Sequence, residues 1–245
     1  MNAESRAHTL GQTLALHLLP GALLTALYFI IAPGVLRAGY PALMALLLCI
    51  LVVLIPFELG VMLDQGRKLT GRATLDGVVL NREPIPLWQY FVIVPALLIW
   101  GGLAFTMLTP VDDFLTRTLF AWMPAWNFSA ALLPQVLQAS KPALITTLVF
   151  AFALNGILGP VIEELYFRGF LLPRISASRG WAPLINVLLF SLYHFFSPWA
   201  NVTRIVALIP LVYAVAWKRN LYLSMITHVL LNTLGMLSLI GLTMR

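Results

Sequence analysis

Glu163 and Glu164 close an apolar run that extends from Ala143 to Ile162, and Arg168 follows one helical turn after the second glutamate. An ionised carboxylate at the centre of a bilayer costs about 2.5–3.5 kcal/mol on insertion scales, so a chain that carries two together has a use for them. On a helix Glu164 and Arg168, four residues apart, share a face and can pair. Glu163 points about 100° away and is left without that partner. A salt-bridged helix end, with Arg168 snorkelling to the headgroups, accounts for Glu164 and Arg168 but not for Glu163. A carboxylate that faces apolar surroundings alone suits general acid–base work. Pro160, three residues earlier, is expected to kink the helix and turn backbone carbonyls towards a water-filled cavity.

Two further polar sets lie at depth. Phe190-Ser191-Leu192-Tyr193-His194 ends a fifth apolar run, and His228-Val229-Leu230-Leu231-Asn232 puts an imidazole and an amide on one face of the last one. Taken singly, an interfacial histidine and an interhelical hydrogen bond explain them. Together they gather a carboxylate pair, two imidazoles and an amide on three helices of the C-terminal half. His8 and His17 belong to no such cluster and read as interfacial. There is no Gly-x-Ser-x-Gly, no His-Glu-x-x-His and no pair of aspartates within apolar helices, since Asp112 and Asp113 lie in a polar segment. Two chemistries fit the set. Glu163, His194 and His228 match a two-imidazole, one-carboxylate zinc site with an open position. The same groups equally activate water without a metal, with Glu163 as base, His194 sharing the water, and His228 and Asn232 donating to the developing oxyanion.

The elements that must position these groups are membrane helices. Of 245 residues, 60% are hydrophobic and 10% charged, against about 45–50% and 25% in soluble domains. Several continuous stretches reach the roughly 20 apolar residues of a spanning helix, which excludes a β-barrel. The expected class is all-α, a polytopic bundle of seven to eight membrane helices with the site cavity in the C-terminal half. Windows fall at 13–32, 41–63, 87–108, 142–172, 182–196, 203–217 and 221–242. The segment from Val111 to Ser140, broken by Pro124 and Pro134 and rich in tryptophan, reads as an interfacial helix, with an eighth short or re-entrant helix as the alternative. We read one domain, 1–245, with the motif-bearing core at 142–242. The first helix reads as retained, since its apolar run is too long for a signal peptide. Cys49 lies in an apolar run and reads as packing; a lone cysteine excludes an intrachain disulfide. With seven spans, Arg6, Arg67, Lys68, Arg72, Arg82, Arg174, Arg179, Lys218 and Arg219 share one side, which the positive-inside rule makes cytoplasmic. Arg37, Arg117, Lys141, Arg204 and Arg245 fall on the other. The net charge of +6 suits anionic lipid headgroups, and no basic cluster interleaved with aromatics suggests nucleic acid.

Glu-Glu-x-x-x-Arg at 163–168, Phe-x-x-x-His at 190–194 and His-x-x-x-Asn at 228–232 resemble the three motifs of the CPBP family, the CAAX-protease and bacteriocin-processing group also called Abi. Motif order, Gly169 after the arginine and the placement on separate apolar helices fit. The resemblance covers about 142 to 242; the first 140 residues match only in being membrane-spanning. It implies a multi-pass intramembrane endopeptidase that cleaves near the C-terminus of a membrane-associated protein or peptide. On the family's glutamate mechanism Glu163 is the general base, His194 helps hold the water, and His228 and Asn232 form the oxyanion site. Glu164, Arg168 and Phe190 support the motif helices. No cofactor is favoured; if the enzyme uses zinc, the label metalloprotease applies and Glu163, His194 and His228 hold it. A bacterial inner membrane is the expected location. The rival readings are a non-catalytic membrane partner, such as a bacteriocin self-immunity protein, and a proton-coupled transporter, against which there is no inverted repeat.

Overall fold

In the computed structural model, which describes residues 7–177 and 180–243, the chain is an all-helical bundle with no strand among the described residues. Helix α1 spans Leu10–Arg37, α2 Ala42–Thr70, α3 Leu87–Met107, α6 Lys141–Arg174 and α9 Tyr222–Thr243. Two short helices, α4 (Thr109–Arg117) and α5 (Ser129–Gln138), fill the segment before α6. Between α6 and α9 lie α7 (Trp181–Tyr193) and α8 (Asn201–Lys218). Their boundaries are set by local chemistry. Thr9 and Gln12 form a reciprocal capping box at the start of α1, Ser140 caps α6 with Pro142 in its first turn, and α2 stops at Gly71, whose φ of 76° only glycine adopts freely.

Among the described residues, six helices are long and apolar enough to cross a membrane. The expected seventh, at 182–196, is the 13-residue α7. At 1.5 Å per residue it covers about 20 Å, short of the roughly 30 Å of hydrocarbon. It ends at Tyr193 rather than Phe196, because His194 leaves the helix at φ −81°, ψ 56°. Neither α4 nor α5 is long enough for an eighth span. Side chains such as Ile30, Phe91, Ile99, Trp122 and Trp217 are more than three-fifths exposed, the outer surface of a protein whose solvent is lipid. The protein is an integral membrane protein.

Contacts between the connections sort into two ends. At one, His8 pairs with Ile175, Arg82 with Asn220, and Glu83 with Arg219 at 2.9 Å. At the other, Gln135 accepts from Ala42 at 2.8 Å, Asn127 donates to the Phe196 carbonyl at 2.8 Å, and Thr203 donates to Asp112 at 2.6 Å. Cys49 is buried in the core between them.

Two helices carry wide turns ahead of an internal proline. The backbone of α2 is wound in i→i+5 fashion from Ile50 to Leu54, just before Pro56, and α6 is so wound from Ala151 to Leu158, just before Pro160. A second such stretch of α6, Glu164–Leu171, holds most of the first motif. Wide turns of this kind mark functional segments and are one way a helix absorbs a missing N–H. Pro160 has no proton for the carbonyls of Gly156 and Asn155, four and five residues back. Thr233 and Asn232 of α9 bond these carbonyls instead, at 3.5 and 2.8 Å. The wide turn before Pro160 is thus tied directly to the third motif.

Candidate active site

The first motif lies two-thirds of the way along α6 and faces inward. Glu164 is 1% exposed and holds two partners: its Oε2 lies 3.3 Å from Nε of Arg168, and its Oε1 lies 2.9 Å from Nδ1 of His228. Arg168, fully buried, stacks its guanidinium 4.1 Å from the centroid of Phe190. Phe190 thus serves as the floor of the cation, a contact worth about 2 kcal/mol when desolvated. Gly169 sits where a Cβ would drive into Val79, so the loop after α2 can close on α6. There the Leu80 amide bonds the Gly169 carbonyl at 2.8 Å and Asn81 bonds that of Arg168 at 2.9 Å.

Glu163 has different company. Its Oε1 accepts from the Tyr193 hydroxyl at 3.0 Å, and its Oε2 lies 3.9 Å from Nε2 of His228. His228 therefore stands between the two glutamates. Its Nδ1 faces a carboxylate and must carry the proton, which turns Nε2 towards Glu163. His194 is oriented by the same logic. Its Nδ1 lies 2.8 Å from the Phe190 carbonyl, an acceptor only, so the Nε2 lone pair is the free one. Glu163, His194, His228 and Asn232 line one cavity of about 270 Å³, room for several waters. Asn232 reaches it with one amide hydrogen already committed to Asn155.

The sequence-expected residues come together, but the cavity is not confined to the C-terminal half. Leu24 of α1, Ile50 and Leu54 of α2 and Phe105 of α3 wall it as well. The short α7 is what carries His194 inside the bundle. Three residues were missed. Tyr193 stands within the second motif, yet an aromatic beside a histidine reads as packing until its hydroxyl is seen on Glu163. Glu58 of α2 is fully buried with neither carboxylate oxygen hydrogen-bonded, and the groups acting on it are Glu163, Glu164, Arg168 and Tyr193. A lone glutamate in an apolar run was the available signal.

His17 is the third, and the interfacial reading of it is overturned. It is fully buried in α1, with Nδ1 2.7 Å from the Thr13 carbonyl and Nε2 3.2 Å from the Asn186 amide, which also donates to the Phe167 carbonyl. It braces the motif helix from the N-terminal half, and its pairing with Asn186, 169 residues away, has no sequence signal. His8, half-buried beside Arg174, is the one that lies at an end; burial and that guanidinium hold its imidazole below the usual range.

No three His, Cys, Asp or Glu side chains converge as metal ligands among the described residues. Glu163, His194 and His228 line one cavity.

A family described as Type II CAAX prenyl endopeptidase Rce1-like matches residues 143–234. Over that stretch the chain is similar to the Rce1-like family. No curated protein and no solved structure matches the chain. The matched stretch contains all three motifs and both Tyr193 and His228, which meet Glu163. Glu58 and His17 lie outside it.

Proposed function

We propose that this protein is an intramembrane endopeptidase that cleaves near the C-terminus of a membrane-associated protein or peptide with a water activated by Glu163. The arrangement that carries the reading is the asymmetric pair of glutamates. Glu164 is ion-paired through Oε2 to Arg168 and bonded through Oε1 to His228, whereas Glu163 Oε2 lines the cavity with no hydrogen bond, 3.9 Å from His228 Nε2. One carboxylate builds the site and the other is left to react.

On this reading Glu163 takes a proton from a water that the His194 Nε2 lone pair also holds, and the hydroxide adds to the scissile carbonyl. His228, held by Glu164 at Nδ1, turns Nε2 to the oxyanion and donates to it when that nitrogen carries a proton. The second amide hydrogen of Asn232 completes the oxyanion site. Glu163 then returns its proton to the leaving amine, and the peptide C–N bond breaks. The family match supports a protease; a bacterial inner membrane and the motif roles are part of the proposal.

Cleavage of C-terminal-tail peptides by protein in liposomes tests it. Glu163→Ala is expected to lower the rate by about 10²–10⁴-fold, the usual worth of a general base, with the fold retained. His228→Ala should fall at least as far, since it also strips Glu164 of a partner. A strong chelator should leave the wild-type rate unchanged. Chelator-sensitive cleavage restored by zinc would move Glu163, His194 and His228 to metal ligation. An unimpaired Glu163→Ala would sink the reading altogether.

A further inference from the structure

Arg204, in the first turn of α8, lines the cavity that holds Glu163, His194 and His228 and is only partly buried. Its Nη1 donates to the Ser191 carbonyl at 3.3 Å and to Oδ1 of Asn201 at 2.8 Å, and its Nη2 donates to Ser197 Oγ at 2.9 Å. A guanidinium has five N–H donors. Both protons of Nη1 and one of Nη2 are thereby committed, and the Nε–H and second Nη2–H have no recorded hydrogen bond. Nε and Nη2 share one edge of the guanidinium, the edge whose parallel N–H pair a carboxylate accepts in bidentate fashion once the Ser197 bond uses the other Nη2 hydrogen. Among the described residues Arg204 has no carboxylate within ion-pair distance. Asp112 and Glu163 act on it from beyond that distance; Asp112 has an oxygen taken by Thr203 at 2.6 Å, and burial raises its carboxyl above the usual range, which weakens it as a counterion.

We propose that the free edge of Arg204 binds a carboxylate of the substrate and so sets the position of cleavage. This rests on the peptidase reading of the same cavity. A cation held rigid on one side by three oxygens and left open on the other is a preorganised anion site. A substrate carboxylate in this cavity meets the Glu163 charge and needs an opposing cation, which Arg204 supplies. The carboxylate belongs either to the C-terminus or to an acidic side chain close to it. The bonds from Arg204 to the turn after α7 also brace His194, but that role is indifferent to the charge of the peptide end, so the two are separable.

Binding is measured in nanodiscs on the Glu163→Gln protein, which keeps peptides intact. The probes are three N-palmitoylated apolar pentapeptides: one ending in a free carboxylate, one in a carboxamide, and one in glutamate carboxamide. The free carboxylate is expected to bind about 10- to 100-fold more tightly than the carboxamide, the worth of hydrogen bonds to a charged group. With Arg204→Gln added, the ratio should collapse to near one. With Arg204→Lys, which keeps the charge and loses the fork, it should be intermediate. Recovery by the glutamate carboxamide would assign the site to an acidic side chain; its failure to recover assigns it to the terminus. Equal binding of all three probes, no binding of any, or a ratio that survives Arg204→Gln overturns the proposal. Loss of the peptidase reading would show instead as absent cleavage by wild type and leaves the binding ratio untouched.

Discussion

Arg168 and Glu164 carry the largest single stake in the site. Both are out of reach of solvent, and removing one partner of a buried pair strands the other at a cost of about 3–5 kcal/mol. Glu164→Ala and Arg168→Ala are therefore expected to lower the unfolding temperature in detergent sharply, whereas Glu163→Gln, with its Oε2 open to a cavity, should leave it nearly unchanged while abolishing cleavage. Equal thermal shifts for Glu163 and Glu164 variants would remove the division of labour between them. Glu58 poses the reverse case. Its carboxyl has no hydrogen-bond partner, which costs about 1–3 kcal/mol, so Glu58→Leu should raise the unfolding temperature by a few degrees. A fall would mean that Arg168 depends on it. The roles of Glu163 and Glu164 were distinguishable in the sequence because a four-residue spacing fixes which one faces Arg168. Those of Tyr193, Glu58 and His17 were not, because each is defined by a partner on another helix.

Among the elements, α6 and α9 are coupled through a missing proton. Pro160 frees the carbonyls of Asn155 and Gly156, and Asn232 and Thr233 take them up. Interhelical hydrogen bonds in membranes are worth about 0.6 kcal/mol on average and up to about 1.7. Asn232→Ala is expected to cost an amount in that range, less so once Pro160→Ala has restored an N–H to the α6 ladder. A double-mutant cycle on unfolding temperature reads this as non-additivity. Additive losses would mean that the proline and the asparagine act independently. The helix windows were legible because hydropathy dictates them, but α1 and α2 run five and seven residues past theirs, to Arg37 and Thr70, where the sequence turns polar. The wide turns before Pro56 and Pro160 were not, since winding depends on what the neighbouring helix offers to the freed carbonyls. Nor was the early end of α7. It is this shortness that lets the chain turn back inside the bundle at His194, while Gly21 of α1 makes room for the Tyr193 carbonyl and ring beside it.

For the molecule as a whole, the contacts between connections fix which loops share an end. Arg67, Lys68, Arg72, Arg82, Arg174, Lys218 and Arg219 belong with the 8–175 and 82–220 pairs, and Arg37, Arg117, Lys141 and Arg204 with the opposite end. The division is the one the alternating loops of the sequence predict, although only six helices among the described residues are long enough to cross and α7 is not one of them. An eighth crossing between Val111 and Ser140 would have put Arg174 and Arg82 at different ends. They instead meet on one strap of chain, where Arg174 bonds the Val78 carbonyl at 3.0 Å. The basic end should face the cytoplasm by the positive-inside rule, which counts lysine and arginine in short connections. Single cysteines placed at exposed Arg72 and Arg117 test this in intact bacterial cells with a membrane-impermeant maleimide. The native Cys49, 0% exposed, adds no background. Labelling is expected at 117 from outside and at 72 only after permeabilisation. The reverse pattern would invert the protein. The turn that carries His194 and Arg204 would then lie towards the cytoplasm, and the source of the substrate tail would change with it.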